Sequence, residues 1–286
     1  MKTIRDIWVE FKDQFQKVSL SPESDFKWLV ENVLEENHSF HWTLHSELIL
    51  SPLKAEVLST FCRRRAEGEP IAYILGEWDF YGRRFIVEPG VLIPRPETEL
   101  IIEIAKKKFK DNHPQWILDF GSGSGCLALT LAYEFSTEKM IAIEKSPQAI
   151  PILEKNKKLH GLTDRLDVFA SDVVDFHCTD LWGKIDLIVA NPPYIDFLDQ
   201  EIAQDVKKYE PKEALFSEER GFAAIHSWAV VAGKYLRPGG FYLFEFGKGQ
   251  AQEVFDFVTS MGVFDKVEIE KDLNGIDRVA ICKKSD

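Results

Sequence analysis

The chain has 286 residues, 45% hydrophobic and 29% charged, with 35 Lys and Arg against 47 Asp and Glu for a net charge of −12. That profile excludes disordered, collagen-like and coiled-coil classes, and no apolar run approaches the roughly 18 residues that a membrane-spanning helix needs. The excess of acid weighs against a long nucleic-acid footprint, because phosphate binding relies on clustered Lys and Arg.

At roughly 150 residues per domain, the length suggests two domains, or one large α/β domain with an extension. The opening residues, Met1-Lys2-Thr3-Ile4-Arg5-Asp6, turn acidic before a signal-peptide core forms, so a cytoplasmic protein is expected. Residues 1–70 carry apolar side chains at helical spacing, first Ile4, Ile7, Trp8, Phe11 and Phe15, then Phe26, Leu29, Val30, Val33 and Leu34. They predict a small helical domain whose helices start at Ser21-Pro22 and Ser51-Pro52, each pairing a cap residue with a first-turn proline. The run Arg63-Arg64-Arg65 reads as a solvated helix end that complements the dipole, with contact to a partner macromolecule as the alternative. His38, His41 and His45 lie close together, but no carboxylate or thiol completes a set, so no metal site is expected.

Residues 71–93 are aromatic and β-branched with interrupting glycines, which predicts a β-hairpin linker. From residue 94 to 286 the pattern alternates. A helix over Glu97–Phe109 leads to strands at 116–120, 139–144, 166–170, 185–190, 241–246, 264–269 and 277–283. The intervening helices are predicted near 125–134, 147–160, 218–236 and 249–261. Such alternation makes a mostly parallel sheet covered on both faces, and the last two strands, lacking a helix between them, form an antiparallel pair at one edge. Pro151 so soon after Pro147 means that the helix there either starts late or loses a hydrogen bond. Cys62, Cys126, Cys178 and Cys282 have no Cys-x-x-Cys spacing and read as reduced, mostly buried thiols. Trp116 and Trp182 flank strands and read as packing.

The strand Trp116–Phe120 runs straight into Gly121-Ser122-Gly123-Ser124-Gly125, a turn that lets a ligand lie against bare backbone at a helix N-terminus. The next strand ends in Glu144, about 20 residues beyond Gly125, where a carboxylate can take both hydroxyls of a ribose. A dinucleotide fingerprint would put its third glycine where Cys126 stands. The observed Gly-x-Gly-x-Gly after Asp119 looks instead like motif I of S-adenosylmethionine-dependent methyltransferases.

Further on, the strand 185–190 ends in Asn191-Pro192-Pro193-Tyr194. The two prolines stiffen the turn and remove two N–H donors, which leaves the carbonyls of Asn191 and Pro192 free for an outside donor. With the Asn191 side-chain carbonyl and the Tyr194 ring, the set suits a planar nitrogen bearing two hydrogens. Carbonyl acceptors favour a pyramidal nitrogen, so no strong base is required. The motif follows the fourth strand of the sheet whose first strand carries the glycine loop, and it opens at the same edge.

With these residues the chain resembles the amino-methyltransferases of the Asn-Pro-Pro-Tyr type, and among them the glutamine N5-methyltransferases of peptide chain release factors, the HemK/PrmC family. The narrower resemblance rests on Gly68-Glu69-Pro70-Ile71-Ala72-Tyr73-Ile74-Leu75-Gly76, Val91-Leu92-Ile93-Pro94-Arg95-Pro96-Glu97-Thr98-Glu99, Asn191–Ile195 and Asp272–Arg278. It implies an α/β fold: a seven-stranded Rossmann-like methyltransferase sheet over 94–286 and a helical substrate-recognition domain over 1–70. It further implies methyl transfer from S-adenosylmethionine to the glutamine of the Gly-Gly-Gln tip of class I release factors. In the alternative reading of Arg63-Arg64-Arg65, the partner touched would be a release factor or ribosomal RNA. From the acidic charge no stable nucleic-acid partner is expected, and the protein is expected to be a monomer.

By motif position, Gly121, Ser122, Gly123, Ser124 and Gly125 would line the cofactor, Glu144 would hold its ribose, and Asp172 and Val173 would flank the adenine. Asn191, Pro192, Pro193 and Tyr194 would grip the glutamine, with Asn191 also beside the cofactor. The family often carries a larger side chain where Val173 stands, so this chain would offer apolar contact only. The stretch 93–99, by itself a plain helix start, becomes through the resemblance a cover over the cofactor site. The same reacting turn also suits an exocyclic amine of a nucleic-acid base. A nicotinamide-dependent oxidoreductase would share Glu144, and a non-catalytic module would share the fold.

Overall fold

The computed structural model describes residues 2–35 and 40–286, so His38 lies outside the described residues. Contacts divide the chain into two units, one built from residues up to Glu77 plus Ile202–Tyr209, the other from Trp78–Glu201 and Glu210–Asp286.

The first unit holds α1 (Ile4–Val18), α2 (Pro22–Leu34), α3 (Pro52–Ala66) and α4 (Ile71–Leu75). Helix α1 starts with a capping box, in which Thr3 Oγ1 accepts from the Asp6 N–H and the Thr3 N–H donates to Asp6. Its buried Ile4, Ile7, Phe11 and Phe15 form one stripe. Trp8, Phe26 and Trp42 close the core, with ring centroids 5.0 Å apart for Trp8–Phe26 and for Phe26–Trp42.

Two expectations are corrected here. Residues 71–75 form helix α4 rather than a strand, because an uninterrupted apolar run fits a buried helix as well as a strand. The Pro70 carbonyl accepts from the Tyr73 and Ile74 N–H groups, and Gly76 ends the helix at φ 77°. The arginine run ends α3 as expected, with Arg63 exposed, but it is not solvated throughout. Arg65 is buried, its Nε 2.6 Å from Asp25 Oδ2 and its Nη2 donating to the Val18 carbonyl at 2.9 Å, while Arg64 forks onto Glu69 at 2.5 and 2.7 Å. A buried guanidinium needs such partners to offset its desolvation.

The hairpin β1 (Glu77–Phe80) and β2 (Arg83–Ile86), which from Trp78 onward belongs to the second unit, is followed by α5 (Glu99–Lys108). Then come β3 (Trp116–Phe120), α6 (Cys126–Glu134), β4 (Lys139–Glu144), α7 (Ala149–Leu159), β5 (Leu166–Ala170), β6 (Ile185–Ala190) and β7 (Ile195–Asp196). After α8 (Gln204–Tyr209), which belongs to the first unit, follow α9 (Lys212–Leu215), β8 (Phe216–Ser217), α10 (Glu218–Gly221) and α11 (Ala223–Tyr235). The chain ends with β9 (Leu236–Glu245), α12 (Ala251–Ser260), β10 (Phe264–Lys271) and β11 (Asp277–Lys284).

Seven strands form the sheet in the order β10-β11-β9-β6-β3-β4-β5. β11 is antiparallel to both neighbours and the others run parallel, as the missing final crossover helix requires. Helix α7 starts at Ala149, so Pro151 falls in its first turn, where no N–H is needed. The helix expected from 218 begins at Ala223, because Glu219 and Arg220 take positive φ and break the path. Trp182, expected to pack, is 45% exposed and meets the His177 ring edge-on. Among the thiols, Cys62 and Cys282 are buried and Cys126 and Cys178 half-buried.

Register positions the chemistry. Phe120 pairs with Ile143 and with Ala190, and Ala190 pairs with Phe244. The next residue on each parallel strand is Gly121, Glu144, Asn191 or Glu245, so all four stand in one row at the carboxyl edge of the sheet.

Candidate active site

That row borders a cleft of about 680 Å³, counting its open mouth. Gly121, Gly123, Glu144, Asp172, Val173 and Asn191 line it, with Pro193 from the turn. Ser122, Ser124 and Gly125 do not line it. They build the loop: Ser122 bonds the Ile143 and Asp119 carbonyls, the Ser124 carbonyl accepts from Asn156 Nδ2, and Gly125 leads into α6 at φ 83°. Gly121 has φ 65°, and a Cβ there would sit 2.5 Å from the Trp228 ring, so the loop admits no side chain at that point.

Glu144 is buried, with one oxygen accepting from the Gly123 N–H at 2.7 Å and the other from the Ser146 N–H at 2.8 Å. Each carboxylate oxygen keeps a lone pair for a further donor, which leaves two acceptors for adjacent hydroxyls. Asp172 is held by Lys145 at 3.0 Å and Val173 is buried, offering a small apolar surface. A bare-backbone loop, a two-acceptor carboxylate and an apolar wall fit the parts of S-adenosylmethionine.

Beneath the loop, Asp119 is buried, with the Ser122 hydroxyl and the Ala128 N–H as the nearest donors to its carboxyl. Burial, opposed by the Ser122 hydroxyl and the Ala128 N–H and reinforced by the Glu144 charge, pushes its pKa up to about 8. Its unfolded value lies near 3.8, so the folded chain holds an extra proton in between, and the resulting stability is present at low pH and lost as pH rises toward 8. Asp119→Asn is therefore expected to flatten the decline in Tm between about pH 5 and about pH 8, measured by thermal melts.

The reacting turn is backed by a buried network. Asn191 Nδ2 donates to Thr98 Oγ1 at 3.0 Å, Thr98 Oγ1 donates to Glu245 Oε2 at 2.5 Å, and the Tyr194 hydroxyl donates to Glu245 Oε1 at 2.7 Å. Burial raises the Glu245 pKa, opposed by the two hydroxyl donors and the nearby Arg278 charge. Burial and the Glu245 charge hold the Tyr194 phenol well above its usual range, so it remains a donor. Gln250 accepts from the Gly247 N–H and donates to the Tyr194 carbonyl at 3.0 Å. Gly221, at φ 94°, lies so close to that carbonyl that any Cβ would overlap it. Pro192 and Tyr194 do not line the cleft.

Glu210 ties two cleft-bordering segments together. It accepts from the Ile93 N–H at 3.1 Å and pairs with Arg95, while Val91 and Leu92 on one side and Pro211 and Ala214 on the other line the cleft. Glu245, Glu210, Trp228 and Gln250 escape sequence reasoning. A signal existed for Glu245, a lone carboxylate inside the apolar run Phe241–Phe246 that mirrors Glu144 at the end of its strand. No comparable signal marks Trp228, whose spacing is that of any core residue.

Comparison with known proteins agrees with this geometry. Residues 96–209 match the family model described as methyltransferase small domain, and residues 6–76 the PrmC N-terminal domain. The chain is 39% identical over 229 residues to a release factor glutamine methyltransferase of Koribacter versatilis, covering 77% of each chain. It is 32% identical over 290 residues to one of Coxiella burnetii, covering 99% of this chain and 100% of that one. Among solved structures, a T. thermophilus 16S rRNA methyltransferase in complex with AdoMet and guanosine superposes with a TM-score of 0.52 at 19% identity, over 73% of this chain and 49% of that one, which speaks to the fold alone. A sheet of this order, a glycine loop facing an acidic strand end and an Asn-Pro-Pro-Tyr turn, together with likeness along nearly the whole chain, establish that this chain belongs to the release factor glutamine methyltransferase family.

Proposed function

We propose that the cleft holds S-adenosylmethionine, with Gly121 and Gly123 against its methionine part, Glu144 on its ribose, and Asp172 and Val173 beside its adenine. Family membership makes the reaction methyl transfer to the side-chain amide of a release-factor glutamine. In our reading the acceptor is the glutamine of the Gly-Gly-Gln tip, gripped by Asn191-Pro192-Pro193-Tyr194. When bound, the cofactor supplies a methyl group on a positively charged sulfur, which departs with the bond's electron pair.

The chain's own task is to make an amide nitrogen nucleophilic. Its lone pair is delocalised into the carbonyl, so the acceptors of Asn191 and Pro192, each taking one N–H, favour the pyramidal form in which the lone pair is localised. Pro192 and Pro193 carry no N–H of their own to compete for those acceptors. Positioning supplies most of the acceleration, and the amide proton leaves after transfer. The observation that carries this reading is the row Gly121, Glu144, Asn191 on adjacent parallel strands at one cleft.

The helical unit, residues 1–70 in this reading, serves substrate recognition, residues 71–93 link it onward, and 94–286 perform the chemistry. The protein works as a cytoplasmic monomer without a stable nucleic-acid partner. The charge of −12 supports the lack of a nucleic-acid partner, and among the described residues no helix is long and apolar enough to cross a membrane. Incubation with labelled cofactor, release factors bearing Gln or Ala at the tip, and RNA or DNA tests the reading. Label is expected on the Gln protein alone. Equal label on the Ala protein, or label on nucleic acid instead, overturns it.

A further inference from the structure

We infer that Glu245, acting through Thr98, is the positioning residue that fixes which end of the Asn191 carboxamide faces the acceptor amide. The inference rests on the proposed role of Asn191 and extends it to Thr98, just before α5, and Glu245, at the end of β9. A carboxylate only accepts, so the hydrogen of Thr98 Oγ1 points at Glu245 Oε2, 2.5 Å away. Thr98 has one hydroxyl hydrogen, and once it is committed only lone pairs remain for Asn191. The Asn191 carboxamide must then present its NH2 to Thr98, at 3.0 Å, and turn its Oδ1 the other way. Oxygen and nitrogen of an amide have nearly the same shape, and this chain of donors is what tells them apart.

The orientation decides the chemistry. With Oδ1 outward, Asn191 accepts an N–H of the incoming amide. With the group flipped, two NH2 groups face each other and the grip is lost. Glu245 fixes Tyr194 in the same way, taking its hydroxyl at 2.7 Å on the second oxygen. Both partners are buried, Thr98 at 2% and Glu245 at 1% exposure, and water cannot substitute for either. Thr98 lies 93 residues from Asn191 and 147 from Glu245, so the device exists only in the folded chain.

The test compares Thr98→Val, which keeps the shape and removes the hydroxyl, with Thr98→Ser, which restores it, and with Glu245→Gln, which turns one acceptor into a donor. Methyl transfer to a Gln-bearing release factor is measured at saturating cofactor. Cofactor affinity is followed by calorimetry, and hydrogen exchange of the Asn191 side-chain amide by NMR of the protein alone. Thr98→Val and Glu245→Gln are expected to lower kcat about 100-fold with cofactor affinity unchanged, as for a misplaced reacting group, while Thr98→Ser keeps wild-type kcat. Asn191 protection is expected in wild type and Thr98→Ser and lost in the other two. Wild-type kcat in Thr98→Val or Glu245→Gln, equal damage in Thr98→Ser, or unchanged Asn191 protection across the variants overturns the inference. If the wild-type protein does not methylate glutamine, the functional reading fails instead, and the NMR comparison still decides the orientation.

Discussion

Asn191→Ala is expected to lower kcat by about 10²- to 10³-fold, the loss found when one preorganised polar group is withdrawn from a transition state. The carboxamide stands at the cleft, held by a single donor bond to Thr98, so its loss removes an acceptor without removing any part of the cofactor-facing wall formed by Gly121 and Glu144. Asn191 is only one of the residues lining the cleft, so cofactor affinity should fall far less than turnover. Asn191→Asp makes the same point more sharply. It keeps the outward acceptor, but the oxygen that replaces Nδ2 then faces Thr98, whose only hydrogen is committed to Glu245. Turnover measured with labelled cofactor, beside calorimetric affinity, checks both variants. A kcat within experimental error of wild type would remove Asn191 from the chemistry.

The second large effect is expected at Glu144. Glu144→Gln should weaken cofactor binding about tenfold to a hundredfold, as for losing a hydrogen bond to a charged group. The variant preserves volume, yet both carboxylate oxygens accept backbone N–H groups, from Gly123 and from Ser146. One of those N–H groups would then face an NH2, and the glycine loop would lose its anchor together with the ribose its acceptor. Calorimetric titration reads the affinity directly. At saturating cofactor, turnover should recover most of its wild-type value, because Glu144 touches neither Asn191 nor its network. Unchanged affinity would show that the strand end only shapes the loop.

The sheet was legible because each of its strands is a short apolar or alternating run bounded by turn residues, and β3, β4, β5 and β6 fall where the pattern puts them. What failed is instructive in physical terms. The stretch Ile71–Leu75 is apolar on every side, and period cannot separate a buried helix from a buried strand. The helix expected from 218 is cut by two residues at positive φ, a backbone choice made where Gly221 packs on the Tyr194 carbonyl. The arginine run looked solvated because composition cannot reveal that Asp25, 40 residues away, waits to pair with Arg65.

The glycine loop, Glu144 and the Asn-Pro-Pro-Tyr turn are local words whose chemistry is carried by neighbouring residues, so the α/β class and a planar nitrogen acceptor were readable from the residues, and the cofactor class from their resemblance to a known motif. It took the folded chain to show that the register of four parallel strands sets Gly121, Glu144, Asn191 and Glu245 in one row, and that Thr98 and Glu245 stand behind Asn191. The reason is that hydrogen bonds which orient a side chain depend on distance in space, and their partners here lie up to 147 residues apart along the chain.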